Sequence, residues 1–293
     1  MLPELHLYDG TYYAYRMYHG MPKLTNSKKE PVGMLVGLSA VIHKLRTQGP
    51  KHMLWLFDEG KCEWREKIVE TYKANRVSTP EVYAQLPRLR AILEGYGVPH
   101  LSSLGVEADD LIGMYGRAFG TKCSKIIIHT NDKDMAQLVR KNVVVETYEG
   151  KVLGTKQVVA KYGLGPCHFA SYLALVGDAV DGYPKVCTPR VAKELIASYG
   201  SIKDMFELRE NRSKWRKVDD MHKQIIDNPQ LALNYRVSKI RTLSKSKLAH
   251  SSLNGLKTTR INTHGLDVIF SKWELKAAVK RVANLPSANT LWG

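Results

Sequence analysis

The run LHLYDG, residues 5–10, is the first strand signal in this chain, and the fold prediction starts from it. Its apolar residues alternate and then stop at Asp9-Gly10, which is typical of a β-strand that enters a turn. Two further runs, HMLWLF at 52–57 and KIIIHT at 125–130, are almost continuously apolar, as expected for strands buried on both faces. The first run contains an aspartate near its end, and an aspartate follows each of the other two directly or within two residues.

The segments between these strands have the apolar spacing or the start signals of helices. Alternating strands and helices predict an α/β fold with a mainly parallel central sheet flanked by helices. After about residue 155 only helices are predicted, and the last is amphipathic. The predicted helices of the first half are 33–46, 63–72, 79–96 and 108–119, with a further strand at 143–148, and the last helix is 273–282.

Three regions are expected from this pattern. Residues 1–155 form the α/β core, residues 156–245 form a helical region, and residues 246–293 form a basic tail with a final helix. The four cysteines lack the spacing of a structural zinc site, so reduced thiols are expected. No apolar run approaches the roughly 18–20 residues of a membrane span, and the first residues lack the features of a secretion signal. We therefore expect a cytoplasmic protein.

The chain carries 44 Lys and Arg against 28 Asp and Glu, a net charge of +16. A surplus of this size indicates a polyanionic partner, and nucleic acid is the leading one. The alternative is a generally solubilising surface. A membrane surface fits less well, because no strongly basic amphipathic helix lies beside an anchor.

Acidic residues are gathered where the predicted strands end and the next segments begin. Since parallel strands end at one edge of a sheet, these acids can converge. Clustered carboxylates repel one another unless cations lie between them, and their hard oxygen atoms select Mg²⁺ or Mn²⁺. Two such ions roughly 4 Å apart can activate water and stabilise a leaving oxygen in phosphodiester cleavage. The acids are Asp9, Asp58, Glu107, Asp109, Asp110, Asp132, Asp134, Asp178 and Asp181.

Each acid also has an ordinary interpretation. A single Asp after a strand is often a turn residue or a helix cap, and Asp109 could complement a helix dipole. The turn at 178–182 could be calcium-like, although it lacks the alternating acids and final Glu of an EF-hand. The stronger indication is that five acidic sites come in one order.

In five places the sequence resembles the 5′-nuclease family, which includes flap endonucleases, the 5′-nuclease domain of bacterial DNA polymerase I and phage 5′–3′ exonucleases. The third motif is the most specific, and the resemblance covers about residues 5–207. It implies a PIN-like 5′-nuclease fold with a helical arch at about 61–96. The motifs are LYDG at 7–10 with Arg16 and His19, FD at 57–58 with WR at 64–65 and YKANR at 72–76, GVEADD at 105–110, TNDKD at 130–134 and GDAVDG at 177–182.

The resemblance also implies a role for each matching residue. Lys73 and Arg76 would sit on the arch and grip the scissile phosphate, where charge develops during attack, and Tyr72 could stack on a frayed base. Arg16 and Arg65 would contact DNA. One metal would be held by Asp9, Asp58, Glu107 and Asp109, and the other would be held or oriented by Asp132, Asp134, Asp178 and Asp181, with Asp110 either a ligand or a support.

The chain departs from the family pattern at KVCTPRVAK, residues 185–193. The family usually has a helix-hairpin-helix with two glycines here, and both are absent. A potassium ion near this element is therefore implied less strongly than the two divalent ions. Thr188-Pro189 still favours a helix start, whose amino end suits phosphate. We expect Lys185, Arg190 and Lys193 to contact duplex DNA through its backbone.

Together these features predict a metal-dependent hydrolase that degrades DNA from 5′ to 3′ and cuts 5′ flaps near the junction with duplex. Its substrates would be DNA with a 5′ flap, a nick or a free 5′ end, and the RNA of RNA–DNA hybrids. Replication proteins are the expected protein partners, and primer removal is a plausible setting. Two alternatives stay open: a structure-specific DNA-binding protein without activity, and a single-strand ribonuclease of compact α/β type.

Overall fold

A six-stranded sheet forms the centre of the computed structural model, which describes residues 2–76, 79–241 and 249–285. The strands are β1 (Glu4–Asp9), β2 (Met53–Phe57), β3 (His100–Ser102), β4 (Lys125–His129), β5 (Val143–Glu146) and β6 (Val152–Leu153). They lie in the order β3-β2-β1-β4-β5-β6. The pairs among β1 to β5 are parallel, and β6 is antiparallel to β5. The predicted, mainly parallel sheet is confirmed.

Helices cover both faces of this sheet and build the second half of the chain. None of the described helices combines the length and apolar character that a membrane span needs. Short 3-10 helices occur at Lys133–Leu138, Pro166–His168 and Leu253–Leu256. The α-helices are α1 (Gly10–Gly20), α2 (Gly33–Gln48), α3 (Glu63–Glu66), α4 (Pro80–Gly95), α5 (Ala108–Phe119), α6 (Thr155–Tyr162), α7 (Phe169–Val176), α8 (Pro189–Tyr199), α9 (Ile202–Glu210), α10 (Arg212–Trp215), α11 (Asp220–Ile226), α12 (Pro229–Ser238), α13 (Thr263–Lys272) and α14 (Lys276–Ala283).

The side-chain alternation of β1 separates two hydrophobic cores. Leu5 and Leu7 face a core that α5, α7 and the helical region complete. Tyr8 faces the opposite core, which contains side chains of α1, α2, α4, α13 and α14. Because successive strand residues point to opposite faces, one short strand fixes the helical region on one side and the chain's last helices on the other. The carboxyl edge of the sheet is left open between them.

Three predictions about local structure near the sheet were wrong or incomplete. Asp9-Gly10 does not form a turn but begins α1, and the Asp9 side chain caps that helix by accepting a hydrogen bond from the Tyr12 amide at 2.9 Å. The strands β3 and β6 were missed. They have three and two residues, which is too short to show a periodic pattern, and they form because neighbouring strands offer hydrogen-bonding partners.

The helix predicted over 63–72 ends at Glu66, and residues 67–76 continue as successive turns. Val69 and Tyr72 are buried in a third small cluster with Tyr183 and Val237. The Lys73 amide donates to the Asp181 carbonyl at 2.9 Å, and Lys73 has a φ of 53°. Contacts with the distant segment around Asp181 therefore outweigh the helical tendency here. The predicted arch consists of α3, these turns and α4, with residues 77–78 outside the described part.

The predicted final helix, 273–282, begins three residues later than predicted, because its residues 276–282 belong to α14, and the preceding helix α13 was not predicted. Trp273 caps α13, and Glu274 has a φ of 57°, so the chain cannot continue as one helix through this point. Leu266 and Phe270 of α13 are fully buried against α4 and its neighbours. The tail is thus docked on the second core over 263–283. Residues 242–248 and 286–293 of the predicted regions lie outside the described residues.

Candidate metal centre and active site

A cavity of about 1050 Å³ opens beside the carboxyl ends of β1 and β2. Strands that run parallel in one sheet end on the same edge, so residues far apart in sequence meet there. The cations Lys73 and Arg76 and the ring of Tyr72 also line this cavity. The structure therefore brings together six of the predicted metal ligands: Asp9, Asp58, Glu107, Asp109, Asp132 and Asp181.

Hydrogen bonds fix the carboxylates at the centre of the sheet edge. Asp9 accepts from the Thr130 hydroxyl at 2.9 Å, which joins the end of β1 to the end of β4. Asp58 accepts from the Ala108 amide at 2.7 Å, which joins the end of β2 to the start of α5. The Asp58 amide in turn donates to the Thr11 hydroxyl at 2.8 Å. These links hold the acids in place by backbone and hydroxyl groups rather than by cations.

Two further pairs of acids lie on the other side of this group. Asp132 accepts from the Asp134 amide at 2.8 Å and so caps the 3-10 helix that comes after β4. Asp178 accepts from the Asp181 amide at 3.2 Å within a tight turn, and its other oxygen accepts from the Lys133 ammonium at 2.6 Å. Asp132 and Asp181 line the cavity, whereas Asp134 and Asp178 lie behind them.

Mutual repulsion marks this group as a cation site. Burial, reinforced by Asp58 and Asp132, raises the pKa of Asp9 to about 7. Burial, reinforced by Asp132 and Asp181, raises the pKa of Asp134 to about 8. One buried oxygen of Asp134, Oδ1, has no hydrogen-bond partner within the part of the chain that the structure describes. Carboxylates that are buried, unpaired and close to one another are stabilised by a bound divalent cation.

We expect Asp134→Asn to stabilise the metal-free protein. The pKa of Asp134 in the folded chain lies above the usual aspartate value of about 4, so stability falls as the pH rises through that window from about 4 to 8. The side-chain amide of asparagine does not ionise, so the variant does not lose this stability. In EDTA at pH 8 the variant should melt several degrees above wild type, since ~1 kcal/mol moves the Tm by roughly 2–4 °C.

The matched control for this experiment is Asp267→Asn, an exposed aspartate on α13. Melting curves of all three proteins at pH 5 and pH 8 give the comparison. The increase in melting temperature caused by Asp134→Asn should be large at pH 8 and small at pH 5. An equal gain at both values would show that Asp134 does not titrate as the structure implies.

The predicted phosphate-gripping cations are held by acids of the site. The Lys73 ammonium donates to Oε1 of Glu107, and the Arg76 guanidinium donates to Asp181. Burial raises the pKa of Glu107, but the charges of Lys73 and Arg65 outweigh this effect and bring that pKa below its usual value. Both cations thus lie within reach of the cavity with their charges already oriented toward it.

Tyr72, which was predicted to stack on a base, is largely packed inside the protein. Its side chain is only 6% exposed, and its hydroxyl donates to Oε2 of Glu107 at 3.1 Å. The ring packs in the third cluster and also lines the cavity, so base stacking by Tyr72 stays a prediction. In this structure Tyr72 supports Glu107.

Arg65 also departs from its prediction as a DNA contact. Its side chain is 3% exposed and forms a two-pronged ion pair with Asp110, with both N···O distances at 2.9 Å. The same guanidinium donates to Glu107. Arg65 is therefore an internal counter-ion. Asp110, which could have been a ligand or a support, is 1% exposed and does not line the cavity, so it is placed as a support.

The other predicted DNA contacts lie at the surface. Arg16 pairs with Glu149 at 3.0 Å and stacks on the Tyr148 ring at 3.9 Å, close to the cavity-lining Tyr12. Lys185 precedes α8, and Arg190 and Lys193 lie on it; all three are exposed, and Arg190 pairs with Glu194 at 3.0 Å. These three residues are not part of the cavity and form a separate basic surface.

Several residues of the site were missed from the sequence. Thr11 and Thr130 bind the central carboxylates or their backbone, and Lys133 neutralises Asp178. Tyr12, Tyr15 and Tyr83 line the cavity. Lys133 could have been found from its place between two acids, and Thr130 from its place directly after a strand. Tyr83 carried no signal, because only the packing of α4 brings it to the site.

Comparisons with known proteins agree with this geometry. The profile of the family described as "5′-3′ exonuclease, N-terminal resolvase-like domain" matches residues 4–163. A 5′-3′ exonuclease of Aquifex aeolicus is 30% identical and is matched over 96% of both chains. DNA polymerase I of Deinococcus radiodurans is 33% identical over 76% of this chain, which spans only 24% of that polymerase.

A similar fold is found among solved structures. The bacteriophage T5 flap endonuclease, solved as a pseudo-enzyme-product complex with DNA and metal ions, superposes with a TM-score of 0.60. The match covers 96% of this chain and 98% of the T5 chain at 17% sequence identity. At this identity the likeness concerns the fold.

Proposed function

This chain belongs to the 5′-3′ exonuclease family, and from that premise we propose that it is a metal-dependent nuclease that degrades DNA from free 5′ ends and cuts 5′ flaps. One observation carries the proposal: the predicted metal ligands from five separate segments line or flank one cavity that Lys73 and Arg76 also line. A site of this composition suits hydrolysis of a phosphodiester, whose negative charge needs both metal ions and fixed cations.

The donor set fits two Mg²⁺ ions. Every candidate ligand is a carboxylate, and Asp134 has an oxygen without a partner among the described residues. The pKa values of Asp9 and Asp134 are raised first by burial and then by the neighbouring carboxylates. When bound, such ions lower the pKa of water and stabilise charge on phosphate oxygens. The residues that would hold them are Asp9, Asp58, Glu107 and Asp109 on one side, and Asp132, Asp134, Asp178 and Asp181 on the other.

The protein's own cations would position the substrate phosphate. Lys73 and Arg76 come from the turns between α3 and α4, opposite the sheet edge, and both line the cavity. A guanidinium can hold two phosphate oxygens, whereas an ammonium acts as a point charge. Their carboxylate partners, Glu107 and Asp181, are themselves candidate metal ligands, so the two cations can turn toward phosphate when those acids are otherwise neutralised.

The basic surface at the start of α8 would bind duplex DNA. Thr188 caps α8 by accepting from the Val191 amide at 3.4 Å, and Lys185, Arg190 and Lys193 surround that end. Helix amino ends and lysines favour phosphate without reading bases. A potassium ion is not included in this proposal, because the stretch 185–193 lacks the glycines that would expose carbonyl groups.

Cleavage mapping on a labelled 5′-flap duplex tests the proposed function. With Mg²⁺ or Mn²⁺ we expect incision next to the junction and products with 5′-phosphates, whereas EDTA should stop all cleavage. The matched control is the same duplex with the flap on the 3′ end, and a further substrate carries an RNA flap strand. Faster cleavage of single-stranded RNA would favour a ribonuclease, and tight binding without cleavage would favour a binding protein.

A further inference from the structure

A second group of potential metal ligands lies in the wall of the cavity, at the base of the arch. Ligand atoms of Cys62, Glu107 and Asp110 all lie within 4.8 Å of one another, and the three residues are buried. A thiol with two carboxylates is a donor set that zinc and cobalt accept and that magnesium does not prefer. This donor set differs by its thiol from the carboxylates at the sheet edge, with which it shares Glu107, and both Cys62 and Glu107 line the cavity.

The guanidinium of Arg65 occupies the centre of this group. Its NH1 nitrogen lies 3.4 Å from the Cys62 sulfur and 2.9 Å from Oδ2 of Asp110, and it also donates to Oε2 of Glu107. All three potential ligands thus contact one nitrogen of one side chain. A cation already lies where a metal ion would lie, so the charge of the two carboxylates is balanced without a metal.

Arg65 is itself held from several directions. NH2 donates to Oδ1 of Asp110 at 2.9 Å, and Nε donates to the Val237 carbonyl at 3.0 Å. Asp110 also accepts from the Arg241 amide at 2.7 Å. These bonds join the arch base, α5 and the end of α12. A planar guanidinium fixed in this way has one orientation, which a flexible lysine ammonium would not have.

The orientation of Glu107 depends on this arrangement. Arg65 and Tyr72 bind its Oε2, and Lys73 binds its Oε1. Glu107 lines the cavity, whereas Asp110 does not. Arg65 therefore connects one acid that faces the active site to another that is buried behind it. Groups that hold a metal ligand from behind usually set its direction and its affinity.

We propose that Arg65 is a positioning residue that directs Glu107 toward the cavity and keeps thiophilic ions out of the space between Cys62, Glu107 and Asp110. The first part rests on the proposed function, because it takes Glu107 as a ligand of a divalent ion. The second part depends only on the buried cluster and is independent of DNA cleavage.

Binding of Mn²⁺ in the absence of DNA, measured by the loss of the free-ion EPR signal, tests the first part. Arg65→Met alone would leave Asp110 charged and unpaired, so the informative variant is Arg65→Met combined with Asp110→Asn. Its matched control is Asp110→Asn alone, in which Arg65 still binds Glu107. We expect the double variant to bind Mn²⁺ roughly 10–100-fold more weakly than this control. Equal affinities would overturn the positioning role.

Binding of Co²⁺ tests the second part through the near-ultraviolet absorption of a thiolate–cobalt bond. Wild type should show no such band, Arg65→Ala should show it, and Arg65→Ala with Cys62→Ser should lose it. If Arg65→Ala is unfolded without metal, the same question is answered by whether Co²⁺ restores its native circular dichroism spectrum. Absence of both the band and any refolding in Arg65→Ala would overturn the exclusion role.

The two proposals can fail separately. A wild-type protein that binds no Mn²⁺ would refute the proposed function and the positioning of Glu107 with it. The Co²⁺ experiment would still decide whether Arg65 closes the buried cluster, since it requires neither the cavity ions nor DNA. Arg65→Lys is a variant of intermediate effect. We expect it to bind Mn²⁺ more weakly than wild type and to show no cobalt band.

Discussion

Asp132→Ala should abolish Mg²⁺-dependent cleavage while leaving DNA binding intact. Asp132 lies in the centre of the cavity's carboxylates, where its charge acts on both Asp9 and Asp109, and its side chain caps the segment that carries Asp134. Loss of one shared ligand disturbs the stabilisation of transition-state charge, which metal ions supply at several kcal/mol. We expect the turnover number to fall by a factor on the order of 10³ or more.

The affinity of Asp132→Ala for DNA, in contrast to its turnover, should not fall. Removal of a buried negative charge from a cavity that faces a polyanion lowers repulsion, so affinity measured in EDTA should be unchanged or higher. Asp267→Ala, at an exposed position on α13, is the matched control. Single-turnover cleavage of the 5′-flap duplex and fluorescence anisotropy give the two quantities. Retained turnover of Asp132→Ala with Mg²⁺ would refute the assignment of the metal site.

Gly182→Ala should lower the free energy of unfolding by roughly 3 kcal/mol. Gly182 has a φ of +77°, and an added Cβ would lie 1.9 Å from the carbonyl oxygen of Thr71. That oxygen belongs to the arch base, which the Thr71 hydroxyl also joins to the Gly182 carbonyl at 2.5 Å. Since a backbone atom cannot turn aside as a side chain can, the alanine must separate the arch from the turn that carries Asp181.

Gly116→Ala is the matched control for this substitution. Gly116 lies in α5, and an added Cβ would meet nothing within 4 Å. Alanine there should raise the free energy of unfolding by roughly 0.5–1 kcal/mol, because glycine loses more backbone freedom in a helix. Urea denaturation measures both changes. Equal unfolding midpoints for the two variants would show that the arch does not contact Gly182 as closely as the structure indicates.

The positions of the acids could be predicted because parallel strands impose a simple rule. Asp9, Asp58 and Asp132 come at or just after the ends of strands whose apolar runs are evident in the sequence, and neighbouring parallel strands end at one edge of the sheet. Glu107 stood out at the start of a predicted helix and the turn at 178–182 by its two aspartates, and the family resemblance then assigned their roles. The sequence could not separate Asp109, which affects Asp132 electrostatically, from Asp110, which binds Arg65.

In the arch, by contrast, the surroundings of the side chains could not be predicted from the sequence. Residues 63–72 have the composition of a charged surface helix, yet Arg65 and Tyr72 are buried. Their partners, Glu107 and Asp110, are about 35–45 residues away along the chain, and no local pattern specifies such contacts. The predicted DNA contact of Arg65 and the predicted base stacking of Tyr72 both assumed that a polar side chain in a charged segment faces solvent, whereas both side chains are buried in this structure.

The sequence alone determined the parallel sheet, the basic character and the family. These properties are written in local periodicity, composition and short motifs, which act within a few residues. The tertiary structure alone decided which charged side chains face the cavity and which neutralise one another inside the protein. That choice depends on burial, on ion pairs and on hydrogen bonds between distant segments, such as Arg65 and Val237, which are 172 residues apart. The free energy of a charge is set by its surroundings and not by its neighbours in sequence.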